Sequence, residues 1–185
     1  MKIKSIQFNH TPESLIFTIP SVSLSPVEPE LIIGLRGLPY LIYYNLISDE
    51  QREISMNEND WDHHVSFAPL YLSISPNNKY LLIATDKNMH IIVKLGTNVR
   101  VRTLTGHGSG DYGKPVAVWD PSGCYVYCNS EEENTLYVYS VARERVIQKL
   151  HGHTGIIRGL AVDAVRGLVA TASYDKSVIL WERQI

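Results

Sequence analysis

Residues 152–181 read GHTGIIRGLAVDAVRGLVATASYDKSVILW, and their pattern decides the fold. Ile156, Ile157, Leu160 and Val162 form a short apolar run, Ala164 to Gly167 turns the chain, and Leu168 to Ser173 is a second run. Tyr174-Asp175-Lys176 turns it again, and Ser177 to Trp181 is a third run. Runs this short, rich in β-branched residues and bounded by Gly and Asp, predict three antiparallel strands joined as a meander. A carboxylate such as Asp175, partly buried in a turn, needs hydrogen-bond donors, and the His153 ring with turn N–H groups can supply them.

Working outward, similar stretches recur. Gly106-His107 opens a copy that continues through Pro115 to Trp119, Asp120 to Gly123, Cys124 to Ser130 and Asn134 to Tyr139, with Val141 to Leu150 as an outer strand. In this copy the alignment puts Glu133 opposite Asp175, Tyr139 opposite Trp181 and Asn129 opposite Thr171. An earlier copy begins near His63-His64 and runs through Leu70 to Ser75, Tyr80 to Thr85, Asp86 to Asn88 and Met89 to Leu95. His64 and Asp86 are 22 residues apart, as are His153 and Asp175, and Ile92 falls at the Trp position. A weaker copy spans Pro29 to Leu35, Tyr40 to Leu46 and Arg52 to Asn57, after two further apolar runs at Ile3 to Phe8 and Ser14 to Ile19. Self-similarity at a period of about 40–45 residues is the signature of a radially repeated sheet architecture.

The last copy resembles the WD-repeat (WD40) family, whose repeats open with Gly-His and close with Trp-Asp; here Glu182 follows Trp181. The resemblance is close over residues 60–183 and looser over 29–57. It implies an all-β, WD40-type β-propeller: one region over 1–185, with a weak blade over 1–57 and blades over 60–104, 105–150 and 151–185. It also implies a structural tetrad of His153, Thr171, Asp175 and Trp181. Rings of this family close with seven or eight blades, so about four imply an open arc. Three forms are compatible with that: part of a longer propeller, two copies completing one ring, or a compact four-bladed form. Exposed blade edges favour self-association, and Ile3 to Phe8 is the candidate strand to complete the last blade.

Composition narrows the function. Of 185 residues 44% are apolar and 19% charged, which suits a folded globular chain, and the net charge of −2 gives no basic field to attract nucleic acid. No apolar run approaches the length of a membrane span, and the first residues lack the apolar core of an export signal, so an intracellular protein, cytoplasmic or nuclear, is expected. The two cysteines, Cys124 and Cys128, lie on one face of a predicted strand and read as reduced thiols.

Three chemical readings are weighed and set aside. Gly108 to Lys114 matches seven positions of a phosphate-binding loop, but Pro115 replaces the Ser or Thr that holds Mg²⁺, and a strand pattern follows instead of a helix. His151, His153, His63 and His64 lack partners at metal-site spacing, and no nucleophile turn occurs. Catalytic residues, cofactors and metals are therefore expected to be absent. The resemblance instead implies a scaffold that holds a protein or peptide, with a structural subunit of a larger complex as the alternative and nucleotide binding through 108–114 as a weaker one. On the face made by the opening loops and second turns, Arg158 and Tyr174 are the candidate contacts, with Glu132 and Thr85 as the counterparts of Tyr174 in the preceding copies. Losing Arg158 and Tyr174 together is expected to weaken partner capture without lowering the melting temperature.

Overall fold

A computed structural model describes residues 4–18, 29–57, 67–108 and 113–182. Among the described residues fifteen strands form four antiparallel meanders. The first sheet holds β1 (Pro12–Phe17), β2 (Glu30–Leu35), β3 (Tyr40–Asn45) and β4 (Gln51–Ser55). The second holds β5 (Pro69–Ile74), β6 (Tyr80–Thr85), β7 (Met89–Lys94) and β8 (Arg100–Thr105), and the third β9 (Ala117–Trp119), β10 (Tyr125–Ser130), β11 (Thr135–Ser140) and β12 (Arg145–Leu150). The fourth has three strands, β13 (Ile157–Asp163), β14 (Leu168–Ser173) and β15 (Val178–Glu182). Among the described residues no helix is long and apolar enough to cross a membrane.

The hairpins form where the chain can reach left-handed backbone angles. Asn88, Asn134 and Lys176 have φ of 53°, 52° and 69° between the second and third strands of their sheets, and Asn78, Gly123 and Gly167 take the same hand between the first and second. Gly and Asn enter this region with little strain, whereas Lys176 bears the steric penalty of its Cβ.

Side chains alternate across a strand, and here both sets are apolar. Leu81 and Ile83 of β6 face the first sheet and pack with Ile32, Leu41, Tyr43, Met56 and Phe67. Leu82 and Ala84, one residue out of phase, face the third sheet and pack with Ala117, Trp119, Val126 and Tyr139. Tyr127, Leu136 and Val138 then meet Ile157 and Val169 of the fourth. A sheet buried on both faces reads as a continuous apolar run, which explains the Leu81-Leu82-Ile83 core of β6. The four sheets thus stack in sequence order, first strand beside first strand, as an open arc of blades.

The arc has two unlike ends. Ile33, Leu35, Ile42 and Tyr44 form the first sheet's outer face, and Ile6 and Phe8 cover it, while Lys4 bonds the Tyr44 hydroxyl and Asp49. This corrects the expectation that Ile3 to Phe8 completes the last blade. Residues 4–8 form no strand and serve the first sheet, whose second apolar face would otherwise meet water; Ile3 lies outside the described residues. At the other end Val178 and Leu180 of β15 are each 67% exposed.

The first and second sheets are keyed together at Gly34. A Cβ there would lie 2.5 Å from Ser14 Oγ and 2.6 Å from the Pro69 carbonyl, the same oxygen to which Ser14 donates at 3.1 Å. Gly34→Ala is expected to force the two blades apart and destabilise the fold by about 1–3 kcal/mol, read as a lowered melting temperature with unchanged β content.

Candidate functional site

In the fourth sheet a chain of hydrogen bonds crosses the blade. Trp181 Nε1 donates to Thr171 Oγ1 at 2.9 Å, Thr171 Oγ1 lies 2.7 Å from His153 Nε2, and His153 Nδ1 lies 2.7 Å from Asp175 Oδ2. The relay has a consistent direction: the indole N–H donates to the hydroxyl, the hydroxyl to Nε2, and Nδ1–H to the carboxylate. The N–H of Thr154 at 3.0 Å, the N–H of Ser177 at 2.9 Å and the Ser177 hydroxyl at 2.6 Å complete the shell of Asp175. The Ser177 hydroxyl, with His153 and these N–H groups, holds the carboxylate far below its usual range. Thr171 is fully buried and the His153 side chain has no exposed surface. The network closes the opening loop onto the second turn.

Strand register changes how the copies correspond. Val169 pairs with Trp181 and Thr171 with Ile179; in the third sheet Val126 pairs with Tyr139 and Cys128 with Tyr137; in the second Leu81 pairs with Val93. Tyr139 therefore holds the Trp181 position, but Cys128, not Asn129, holds that of Thr171, and Val93, not Ile92, is the second sheet's counterpart of Trp181. A slip of one residue in an alignment transfers a side chain to the opposite face of the sheet. Asn129 accepts from the Val116 N–H at 2.8 Å and donates to the Ile157 carbonyl at 2.9 Å, which ties the third blade to the fourth. Glu133 does not stand in for Asp175 either. It pairs with Lys149 at 2.9 Å, and His107 Nδ1 meets the Tyr139 hydroxyl instead, at 3.0 Å.

The surface candidates are sorted by the same register. Ile157 pairs with Ser173 and Gly159 with Ala172, so Arg158 is the extra residue of a β-bulge, which re-aims its side chain. Its guanidinium meets Glu131 of the third sheet at 2.9 Å and lies 4.9 Å from the ring of Tyr174, itself 66% exposed. The residues in register with Tyr174 are Arg36, Asp86 and Glu131. Thr85 is corrected as a contact: it is fully buried, in register with Ser173, and donates to the Met89 carbonyl at 2.6 Å. Glu132 is exposed and packs over Gly108, because the third sheet's turn is one residue longer than that of the fourth. Arg158 also differs from expectation. Its ion pair joins two blades and the Glu131 side chain is only 7% exposed, so truncation costs stability as well as surface.

The described residues flanking the phosphate-loop resemblance are tied to the third sheet. Lys114 is followed by β9 and donates its backbone N–H to Glu131 Oε1 at 2.9 Å, and the Gly108 carbonyl accepts from the Glu131 N–H at 2.9 Å. Residues 109–112 lie outside the described residues, as do His63, His64 and residues 183–185. Cys124 is exposed and Cys128 buried, and both are free. His90 and His107 stack at 3.9 Å between the second and third sheets, with Cys128 beside them; sequence spacing gave no sign of this group, whose members come from β7, a loop and β10.

A meander of this kind, closed by an indole–hydroxyl–imidazole–carboxylate relay and repeated around an arc, defines the WD-repeat β-propeller class. The family described as "WD domain, G-beta repeat" matches residues 144–182. The fold is similar to the crystal structure of RRP9 WD40 repeats (TM-score 0.69, 18% identity, 96% of this chain and 52% of that one). It is equally similar to the structure of U3-55K (TM-score 0.69, 18% identity, 96% and 53%). Residues 144–182 thus match a WD repeat, and the described residues have the WD40-type β-propeller fold. In sequence it is similar to the periodic tryptophan protein 2 homologs of Mus musculus, 33% identical over 63 residues, and Dictyostelium discoideum, 37% identical over 62 residues. Each of these alignments covers 34% of this chain and 7% of the relative.

The relay yields a pH prediction. A carboxylate whose pKa is lower in the folded than in the unfolded chain stabilises the fold fully above the unfolded value of about 4, and that contribution is lost as pH falls through the folded value. The stability gap between the native chain and Asp175→Asn should be level from about pH 5 to about pH 8 and shrink below about pH 4. Denaturant titrations at each pH measure it.

Proposed function

We propose that this protein is a non-catalytic scaffold that grips a protein or peptide on the face carrying the bulges and second turns. The observation that carries the reading is the posture of Arg158: set on a bulge, braced by Glu131 and aligned with an exposed Tyr174. Braced Arg and Tyr make strong interface anchors because little side-chain entropy remains to be lost on binding. Arg36, Asp86 and Glu131 stand in register with Tyr174 on the other blades, so the face carries charges of both signs and suits a polar peptide surface better than a uniformly anionic strand of nucleic acid. The absence of a catalytic role is supported by His153 and Asp175, an acid–base pair, being committed to the relay, with the His153 side chain fully buried.

A second reading, a structural wall within a larger assembly, is favoured by the exposed Val178 and Leu180 on the free face of the fourth sheet. A contiguous apolar sheet face of this kind is normally covered.

Two experiments separate these readings. Tyr174→Ala should leave the melting temperature unchanged and reduce captured partners at least tenfold in quantitative affinity purification, whereas Arg158→Ala should do both, weakening capture and lowering stability by about 2 kcal/mol. Undiminished capture by Tyr174→Ala removes the proposed face. For the second reading, the chain should self-associate with concentration in sedimentation experiments and Leu180→Lys should return it to a monomer; equal behaviour of the two proteins counts against the free face as an interface.

A further inference from the structure

The three interfaces between blades repeat one rule, and strand register names the residues that make it. Leu41 and Tyr43 of β3, paired with Gly34 and Ile32, match His90 and Ile92 of β7, paired with Ala84 and Leu82, and Leu136 and Val138 of β11, paired with Asn129 and Tyr127. All six are buried against the sheet that follows. In the fourth sheet the same positions hold Val178 and Leu180, paired with Ala172 and Ala170, and both are 67% exposed. The opposite face obeys the rule in reverse. Ile83 with Ile91 in the second sheet, and Cys128 with Tyr137 in the third, are buried against the sheet before them, and their counterparts in the first sheet are Ile33 and Ile42.

In the first sheet residues 4–8 lie where a preceding blade would pack. Ile6 and Phe8 are half-buried on Ile33 and its neighbours, while Lys4, Ser5 and Gln7 are exposed. Among the described residues none of 4–8 exchanges a backbone hydrogen bond with the sheet, so the segment is held by Ile6, Phe8 and the bonds of Lys4 to Tyr44 and Asp49. An exposed ion pair contributes little, and two half-buried side chains remove less apolar surface from water than a whole blade does. The cover is also incomplete. Leu15 and Phe17, paired with Ile33 and Leu31 on this same face, remain 62% and 55% exposed.

We propose that the outer face of the first sheet receives the fourth sheet of a second copy of this chain, head to tail, and that residues 4–8 are a displaceable strap competing for that face. The contact presupposes the free face of the fourth sheet as an interface, the second reading above, and supplies its partner and orientation. A second copy fits because it presents Val178 and Leu180 at the positions of Leu41 and Tyr43, and each internal interface sets those positions against a face equivalent to that of Ile33 and Ile42. Two fourth sheets packed face to face would join like faces, which none of the internal interfaces does. The head-to-tail contact is heterologous, so each copy uses one donor face and one receiving face. Assembly must displace Ile6 and Phe8, so the strap raises the concentration at which it occurs.

Sedimentation of the full chain over a concentration series tests this, with circular dichroism checking that each variant keeps its β content. Phe8→Ser, and to a smaller extent Lys4→Ala, should strengthen self-association at least threefold by loosening the strap, and Leu180→Lys in the same chain should cancel the gain. In the Phe8→Ser background Phe17→Glu, which charges the receiving face at an exposed position, should weaken association at least tenfold, as should Leu180→Lys. Mixed together, those two variants should associate again, because one still offers its fourth sheet and the other its first. Association unchanged by both strap variants, persisting in Phe17→Glu, or absent from the mixture would overturn the proposal. If Leu180→Lys disperses the chain and Phe17→Glu does not, the second reading stands with like faces joined; if Leu180→Lys has no effect, that reading falls too.

Discussion

A β-meander with two apolar faces cannot stand alone in water, and this constraint organises the chain. Leu81, Leu82, Ile83 and Ala84 are consecutive and completely buried, which a sheet achieves only when a neighbour covers each side. The second and third blades obtain that cover from their neighbours. The first obtains it on one side from Ile6 and Phe8, and the fourth leaves Val178 and Leu180 in solvent. Stability is therefore passed from blade to blade, as in other repeat arrays, and groups that cross a blade boundary carry more than their local weight. Ser14, Gly34, Asn129 and the Arg158–Glu131 pair are such groups.

Polar closure supplements this packing and differs between copies. In the fourth blade four side chains, Trp181, Thr171, His153 and Asp175, satisfy one another in an unbroken relay. In the third the equivalent positions hold Tyr139, Cys128 and His107, and the imidazole turns its Nδ1 to the tyrosine and stacks on His90. A separate local device, the bulge at Arg158, points a cation across the blade boundary toward Glu131.

Most strands were legible because their physics is local. Tyr80 to Thr85 and Leu168 to Ser173 stand where the alternation of apolar runs and turn residues places them, since strand propensity and turn chemistry act over a few residues. The relay residues of the last copy were legible for the same reason, through the spacing of the family motif. Correspondence between copies was not. The longer turn of the third sheet lets Asn129 align in sequence with a position that strand pairing assigns to Cys128, and setting Asp86 opposite Asp175 displaces Ile92 and Thr85 by one residue from Val93 and Asp86.

What the sequence by itself determined is the all-β repeat, the meander order and the imidazole, hydroxyl, carboxylate and indole of the final blade, because hydrophobic period, turn residues and motif spacing are written along the chain. Only the tertiary structure decided that Ile6 and Phe8 cover the first blade, that Arg158 is braced by Glu131, and that His90, His107 and Cys128 converge. Those contacts join residues from different blades, and proximity across a sheet interface depends on register and packing, which no local pattern encodes.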